Sequence, residues 1–341
     1  MSNRVTIYDV AEKTGFSIAT VNRALSNKTR ISEETRQFII DTAHAMGYQP
    51  SQAAAGLSRA QIRIGVVIHR PIHAFIDEIQ AGIEFGFKQA ADFNVTGEIY
   101  VSDSADTRDM LDKIREMVED GISGVLIMPP ANDEGFAELI AELGEKGVVT
   151  ATVVSDLPGA VFSVRNNGII AGSMAAEMLH MLVPGKPVAA VTANRQKTVH
   201  RDTITGFYQY ADAAGMNVAG VFEHHDNPQT AYRLLDSILE THPDIGGVYL
   251  GSANSATFCA RTVELGMSSR LKIVASDVFE ELTRYLKQDV VQATIFQNPF
   301  NQGRLAVRYL YEYLAQGCRF EPNILLMPRL VIKSNIDYIS N

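Results

Sequence analysis

The sequence predicts a small all-α N-terminal unit followed by an α/β core in two lobes, each lobe a parallel sheet flanked by helices. Three observations lead there. Residues 6–25 read as two short helices separated by a glycine turn. From Ile62 onward, short apolar runs alternate with helical stretches, and the alternation restarts at Val188, the pattern of parallel sheets in α/β domains. Charge is divided unevenly: the 341 residues carry net −9, yet residues 1–63 hold 8 Lys and Arg against 5 acids, leaving +3 there and −12 on the rest.

In the N-terminal unit, Thr6 and Asp9 have the spacing of a capping box, and Val10 and Ala11 give the first helix a small apolar face. Gly15 permits the tight turn of a helical pair. Ser17 caps the second helix, in which Val21, Ala24 and Leu25 face inward while Ile18, Ala19, Thr20, Asn22 and Arg23 remain outside. That outer face is short-chained and polar, a surface able to enter a DNA major groove. A third helix runs from Ser32 to Met46, with Ser32 as N-cap, Glu33 and Glu34 in its first turn, and an inner stripe of Phe38, Ile39, Thr42 and Ala43; Gly47 ends it. Residues 49–61, rich in Ala, Ser and Gln, read as a linker.

The core begins with the buried strand Ile64–Ile68 and a helical stretch from Phe75 to Ala91. Strands follow at Val95–Val101, Val125–Met128 and Val148–Val154, with helices at 107–120 and 137–145. The second series places strands at Val188–Val191, Val218–Phe222, Gly247–Leu250, Lys272–Ala275 and Ala293–Phe296. The expected division is a headpiece at 1–48, a linker at 49–61 and a core at 62–341. Within the core, one lobe is expected at about 62–160 plus 293–325 and the other at about 161–292 plus 326–341.

Composition excludes several classes. Hydrophobic content of 46% and charged content of 20% read as globular, no apolar run approaches a membrane span, and the first residues lack an apolar signal core, so a cytoplasmic location and no membrane partner are expected. Two cysteines, Cys259 and Cys318, make no metal-ligand spacing. No nucleophile with its base and no phosphate loop appears, so an enzyme is not expected. His224-His225-Asp226 invites a metal, but strand neighbours point to opposite faces and no further ligand follows, so neither metal nor cofactor is expected.

Thr-Ile-Tyr-Asp-Val-Ala (6–11), Gly-Phe-Ser (15–17) and Ala-Thr-Val-Asn-Arg-Ala-Leu-Ser (19–26) resemble the headpiece of the lactose-repressor (LacI/GalR) family of bacterial transcription regulators. The match continues through Ile31–Arg36 and Gly47–Pro50. The core resembles type I periplasmic sugar-binding proteins, the core of the same family. The resemblance implies a sequence-specific regulator, a repressor, bound as a homodimer to a palindromic double-stranded operator with one headpiece per half-site. Base contacts are then expected from Ile18, Ala19, Thr20, Asn22 and Arg23, with Asn suited to adenine and Arg to guanine. Thr6, Ser17, Arg30, Ser32, Thr35 and Tyr48 complete the DNA-facing set, of which Arg30, Ser32 and Thr35 lie where the family contacts phosphates. In the family the 49–61 linker becomes a hinge helix when two copies lie together on DNA, and Leu57 stands where the family wedges a leucine into the minor groove. The linker departs from the family at Ser51 and Ala55.

Ligands of parallel α/β sheets sit beyond the carboxyl ends of the strands. His73, Phe75, Ser155, Asp156, Asn254, Asp277 and Gln297 follow strands, and their polar groups and aromatic ring suit a sugar or cyclitol effector. Where the family has an arginine three residues before Gly-Phe, this chain has Thr203, so Arg201 is the expected substitute. The family's Asp-Asn before the second-lobe helix is Asn167-Gly168 here. A regulator sensing a nucleobase and a solute-binding protein of sugar transport remain the alternatives. The C-terminal residues Lys333–Asn341 show no leucine heptads for a further coiled coil.

Overall fold

The computed structural model describes residues 5–25, 31–48, 61–70, 73–104, 107–130, 132–252 and 254–339. Arg30, Leu57 and residues 49–60 of the expected linker lie outside the described residues.

The N-terminal unit is three helices: α1 (Ile7–Thr14), α2 (Ile18–Leu25) and α3 (Glu33–Ala45). The capping box forms at α1. Asp9 N–H donates to Thr6 Oγ1, and Thr6 N–H donates to Asp9 Oδ2 at 2.6 Å. These hydrogen bonds hold the Asp9 carboxyl below the usual carboxylate range. Gly15 closes the helix with φ +74°, a left-handed conformation that glycine adopts without steric cost, and donates to Ala11 O. Ser17 Oγ accepts from Thr20 N–H, and Ser32 Oγ accepts from Thr35 N–H, so both expected caps are present. Val10, Ala11, Val21, Ala24, Ile39 and Ala43 make the buried core, with Tyr48 packed against it. Phe38 departs from the expected inner stripe. It is exposed and meets Phe16 edge-on at 6.4 Å, because a residue beside Ile39 is turned about 100° around the helix axis from it.

The core holds two six-stranded sheets. The first contains β1 (Ile62–His69), β2 (Val95–Ser102), β3 (Gly124–Met128), β4 (Val149–Val153), β5 (Ser163–Asn166) and β11 (Asn323–Leu326), in the order β11-β5-β4-β3-β1-β2, all parallel. The second contains β6 (Val188–Thr192), β7 (Val218–Glu223), β8 (Gly247–Leu250), β9 (Lys272–Ser276), β10 (Ala293–Phe296) and β12 (Arg329–Val331), in the order β12-β10-β9-β8-β6-β7. Only β12 in it is antiparallel to its neighbour. Central strands such as β3 and β8 are buried on both faces, which is why they read as unbroken apolar runs rather than alternating ones.

The expected lobe boundaries need correction. Ser163–Asn166 belongs to the first sheet, where Ser163 pairs with Thr152, and Ala293–Phe296 belongs to the second, where Ala293 pairs with Val274. The chain therefore crosses between lobes after β5, after β10 and between β11 and β12. Strands β5, β11 and β12 carry Ser, Arg and Asn among their apolar residues, so they show no run that announces a strand.

Helices of the core are α4 (His73–Ala90), α5 (Arg108–Glu119), α6 (Phe136–Glu145), α7 (Gly168–Leu182), α8 (Thr198–Ala213), α9 (Pro228–Thr241), α10 (Ser255–Glu264), α11 (Glu280–Lys287) and α12 (Pro299–Gln316). Met110, Ile114, Met117, Phe136, Leu139 and Leu143 cover one face of the first sheet through Val67, Val125 and Ile127. In the second lobe, Leu235, Ile238, Phe258, Leu282 and Leu286 cover one face, while Ala171, Ala175, Leu179 and Phe207 cover the other. Each lobe also has one pair of helices in backbone contact. A Cβ on Gly82 would run into Phe300 O, joining α4 to α12, and a Cβ on Gly172 would run into Thr203 O, joining α7 to α8. The departure at Asn167-Gly168 serves this second pair: Asn167 Oδ1 caps α7 by accepting from Ile170 N–H, and Gly168 lies against Asp202 and Thr203.

Candidate functional site

The headpiece presents the expected face. On α2, Val21 and Ala24 are buried, whereas Ile18, Ala19, Asn22 and Arg23 are exposed and Thr20 is half-buried. Ile18 is 41% exposed, an apolar side chain left in solvent among polar neighbours. Thr6, Ser17 and Ser32 are exposed at the starts of the three helices and spend their hydroxyls on capping. Tyr48 is half-buried against the headpiece core, which gives it a packing role.

In the core, a cleft of about 300 Å³ opens at the carboxyl ends of the strands of both sheets. The first lobe contributes His69 from the end of β1, Pro129 and Pro130 after β3, Val154, Ser155 and Asp156 after β4, and Phe75 and Ile76 from α4. The second lobe contributes Asn194 to His200 around the start of α8 except Arg195, Thr203 within α8, Asp226 after β7, Ser252 after β8, Asp277 after β9 and Gln297 after β10. This is the placement expected of ligands in open parallel sheets.

Asp277 is buried, with φ +68°, and its two carboxylate oxygens accept from Gln297 N–H at 3.2 Å and Gln297 Nε2 at 2.7 Å. Burial pushes its carboxyl up to about 7, against the pull of the Gln297 hydrogen bonds. Thr294 Oγ1 donates to Asp277 O, and Tyr249 OH pairs with Ser276 Oγ, so the backbone of Asp277 and the residue before it are held from behind. Tyr249 in turn stacks on Phe207 with ring centroids 5.9 Å apart.

Behind Ser252 lies His224. Its Nδ1 accepts from Asp226 N–H at 3.1 Å, so its Nε2 carries the proton and donates to Ser252 Oγ at 2.6 Å, leaving the Ser252 hydroxyl hydrogen available to the cleft. Burial lowers the His224 pKa and favours this neutral tautomer. His224-His225-Asp226 thus follows β7 in a turn, with His225 and Asp226 at positive φ, and lies beyond the strand on which the sequence reading placed it. Among the described residues, no group of three or more His, Cys, Asp or Glu is gathered as a metal site.

Burial, then the charge of Lys197, lowers His69 and His200, the latter to about 4. Lys197 Nζ pairs with Asp226 at 3.5 Å. His69, Lys197, His200 and Asp226 were not among the expected site residues. All four lie at strand ends or at the start of α8, and the loop after β6 is the one signal that strand-end inspection could have used.

Of the expected effector residues, Phe75, Ser155, Asp156, Thr203, Asp277 and Gln297 meet in the cleft. Arg201 does not. It is exposed and donates to Thr198 Oγ1, because α8 turns position 201 away from the wall that Thr203 joins. Asn254 stands behind the cleft lining, with its Nδ2 3.4 Å from His224 Nδ1. His73 begins α4.

Residues 6–51 match the family of bacterial regulatory proteins of the lacI type, and residues 64–317 match the periplasmic binding protein domain. The chain belongs to the lacI family of bacterial regulatory proteins. It is a DNA-binding transcription regulator whose helix-turn-helix headpiece is joined to a small-molecule-binding core. The HTH-type transcriptional regulator RegA of Clostridium saccharobutylicum is 26% identical over 333 residues, 95% of this chain and 97% of that protein. Among solved structures, the glucose-galactose binding protein GanP from Geobacillus stearothermophilus shares the core fold at a TM-score of 0.73 and 20% identity, over 81% of this chain and 99% of its own. A Caulobacter myo-inositol binding protein bound to myo-inositol does so at 0.72 and 18%, over 82% and 96%. Among the described residues of this lacI-family chain, no helix is long and apolar enough to cross a membrane.

Proposed function

We propose that this regulator is a homodimeric repressor that binds a palindromic operator and responds to a sugar or cyclitol held in the cleft between its lobes. The observation that carries the effector reading is the Asp277–Gln297 pair at the strand ends of one lobe, with the Phe75 ring on the other side of the same cleft. Carboxylate and amide suit the many donors and acceptors of a polyol, and the ring covers its apolar face. The folds of GanP and of the myo-inositol binding protein, named for ligands of this class, support the same reading. Closure of the lobes around the ligand would alter the linkers of residues 49–61 and so shift operator affinity. Such coupling is reciprocal, so operator DNA changes effector affinity by the same factor.

A thermal-shift screen of the purified protein against monosaccharides, cyclitols, sugar phosphates and nucleobases tests this. A ligand at 100 times its Kd adds about 2.7 kcal/mol to the folded state and raises Tm. The shift is expected with a sugar or cyclitol and is expected to vanish in Gln297→Ala, Asp277→Ala. A response to a nucleobase alone would replace the effector reading with the nucleobase one.

For DNA, selection from random duplexes is expected to return an inverted repeat. Arg23→Ala should weaken binding to the selected site about ten- to a hundredfold by fluorescence anisotropy, the worth of one bidentate base contact. Selected sites without two-fold symmetry would count against one headpiece per half-site. Dimerisation itself is read by sedimentation equilibrium.

A further inference from the structure

The effector cleft is lined by more negative charge than it can balance. Three carboxylates, Asp133, Asp156 and Asp226, border it together with the Asp277 carboxyl, which burial raises to about 7, against one ammonium, Lys197. That ammonium is engaged with Asp226 at 3.5 Å. His69 and His200 beside it are kept neutral by burial and by the same lysine. Among the described residues, the Asp277 carboxylate accepts its side-chain hydrogen bonds from Gln297.

Asp156 is the decisive residue. Its Oδ1 is buried with no hydrogen-bond donor among the described residues. The chain delivers it by an unusual route. Val154 has φ +71°, rare for a β-branched residue, and Ser155 N–H donates back to Val153 O at 2.9 Å, closing a three-residue γ-turn at the end of β4. This turn sets Ser155 and Asp156 on the cleft wall. Asp277 follows β9 in the second lobe on a turn of the same hand, so each lobe offers the cleft a carboxylate from the end of its fourth strand. Asp156 as a whole is half-buried on the cleft wall, so its carboxylate can take a donor from a ligand there. A neutral hydroxyl would supply a hydrogen bond but leave the charge excess; an ammonium supplies both.

We propose that the effector carries a positively charged amine: it is an amino sugar or amino cyclitol whose ammonium donates to Asp156, while its hydroxyls meet Asp277, Gln297 and Ser252. This rests on the reading of the cleft as a polyol site and narrows its ligand class. Aldehyde-free polyols without an amine, N-acetylated sugars and sugar phosphates are then the poorer ligands, the last by repulsion from the same carboxylates.

Isothermal titration of the full-length protein with D-glucosamine and D-galactosamine, set against glucose, galactose, their N-acetylamines and their 6-phosphates, tests the proposal. The amines are expected to bind at least tenfold more tightly than their neutral parents and N-acetyl forms at 150 mM salt. In Asp156→Asn, whose fold is checked by circular dichroism and Tm, that preference is expected to fall to within about twofold. Equal or tighter binding of the neutral, acetylated or phosphorylated sugars overturns the amine and leaves the polyol reading standing. A preference that survives Asp156→Asn overturns the assignment to Asp156. Binding of no hexosamine in the panel overturns the amino-sugar assignment, while the thermal-shift screen with cyclitols decides the polyol reading separately.

Discussion

Gly172→Ala should destabilise the core by about 3 kcal/mol or more, the upper end of overpacking costs, and lower Tm by roughly 5–10 °C in a thermal melt. The added Cβ would collide with Thr203 O, with Thr203 C and with the backbone nitrogen of Phe207. None of these is the end of a flexible side chain, so the clash can be relieved only by moving α7 and α8 apart. Gly206→Ala meets the mirror-image obstacle at Ile169 O and should cost a similar amount. Gly144→Ala is the control: nothing lies within 4 Å of a Cβ there, and a helical glycine gains from the change. The second consequence is functional. Helix α8 carries Lys197 at its start and His200 and Thr203 within it onto the cleft wall. It is also tied to the first lobe by the ion pair of Arg165 on β5 with Asp202, at 2.6 Å and largely buried. Displacing α8 therefore moves one cleft wall together with a contact between lobes. Effector affinity should fall in Gly172→Ala even at temperatures where the protein remains folded. A variant as stable as the parent would mean that the two helices are not held in backbone contact.

How far the sequence announced this arrangement depends on the kind of signal. Caps and periodicity were local and legible: Thr6, Gly15, Ser17 and Ser32 mark the headpiece helices because each satisfies backbone groups a few residues away. Strands buried on both faces, such as Val125–Met128 and Gly247–Leu250, were equally plain. Strand β5 was not, since Ser-Val-Arg-Asn presents neither an apolar run nor alternation; its place comes from partners on either side and from Asn323, which accepts from both Ser163 and Arg165. The lobe crossings were misplaced for the same reason. In the cleft, residues directly after strands were found because the turn follows the strand without choice. Lys197 and His200 enter through the start of a helix and lie far in sequence from His69, so only the fold brings their charges together. Arg201 shows the converse. Chemistry recommended it, and the phase of α8 sends it outward.

Asp277→Asn should abolish a pH dependence of stability that the parent carries. In the unfolded chain this carboxyl titrates near 3.8, and in the folded protein burial moves it up to about 7. Below pH ~4 both states hold the proton and the residue costs nothing differential. Between about 4 and 7 the unfolded chain releases its proton while the folded protein keeps it, so stability falls as pH rises, by about 1.4 kcal/mol per pH unit for this single group. Above about 7 the folded protein bears an ionised, buried carboxylate, and the accumulated loss levels off at about 4 kcal/mol. Asparagine has no such titration. Its amide can also keep the pairing if the Gln297 side chain reverses, so that Gln297 Oε1 accepts where Nε2 now donates. Chemical denaturation at pH 5 and pH 8 is the measurement. The stability difference between variant and parent should favour the variant by about 3 kcal/mol more at pH 8 than at pH 5, and parallel profiles would show that Asp277 ionises as easily folded as unfolded. The same substitution should weaken effector binding, because the acceptor that makes the second lobe's wall costly is the one that makes it selective. A buried carboxyl retained at that expense is explained by what it binds.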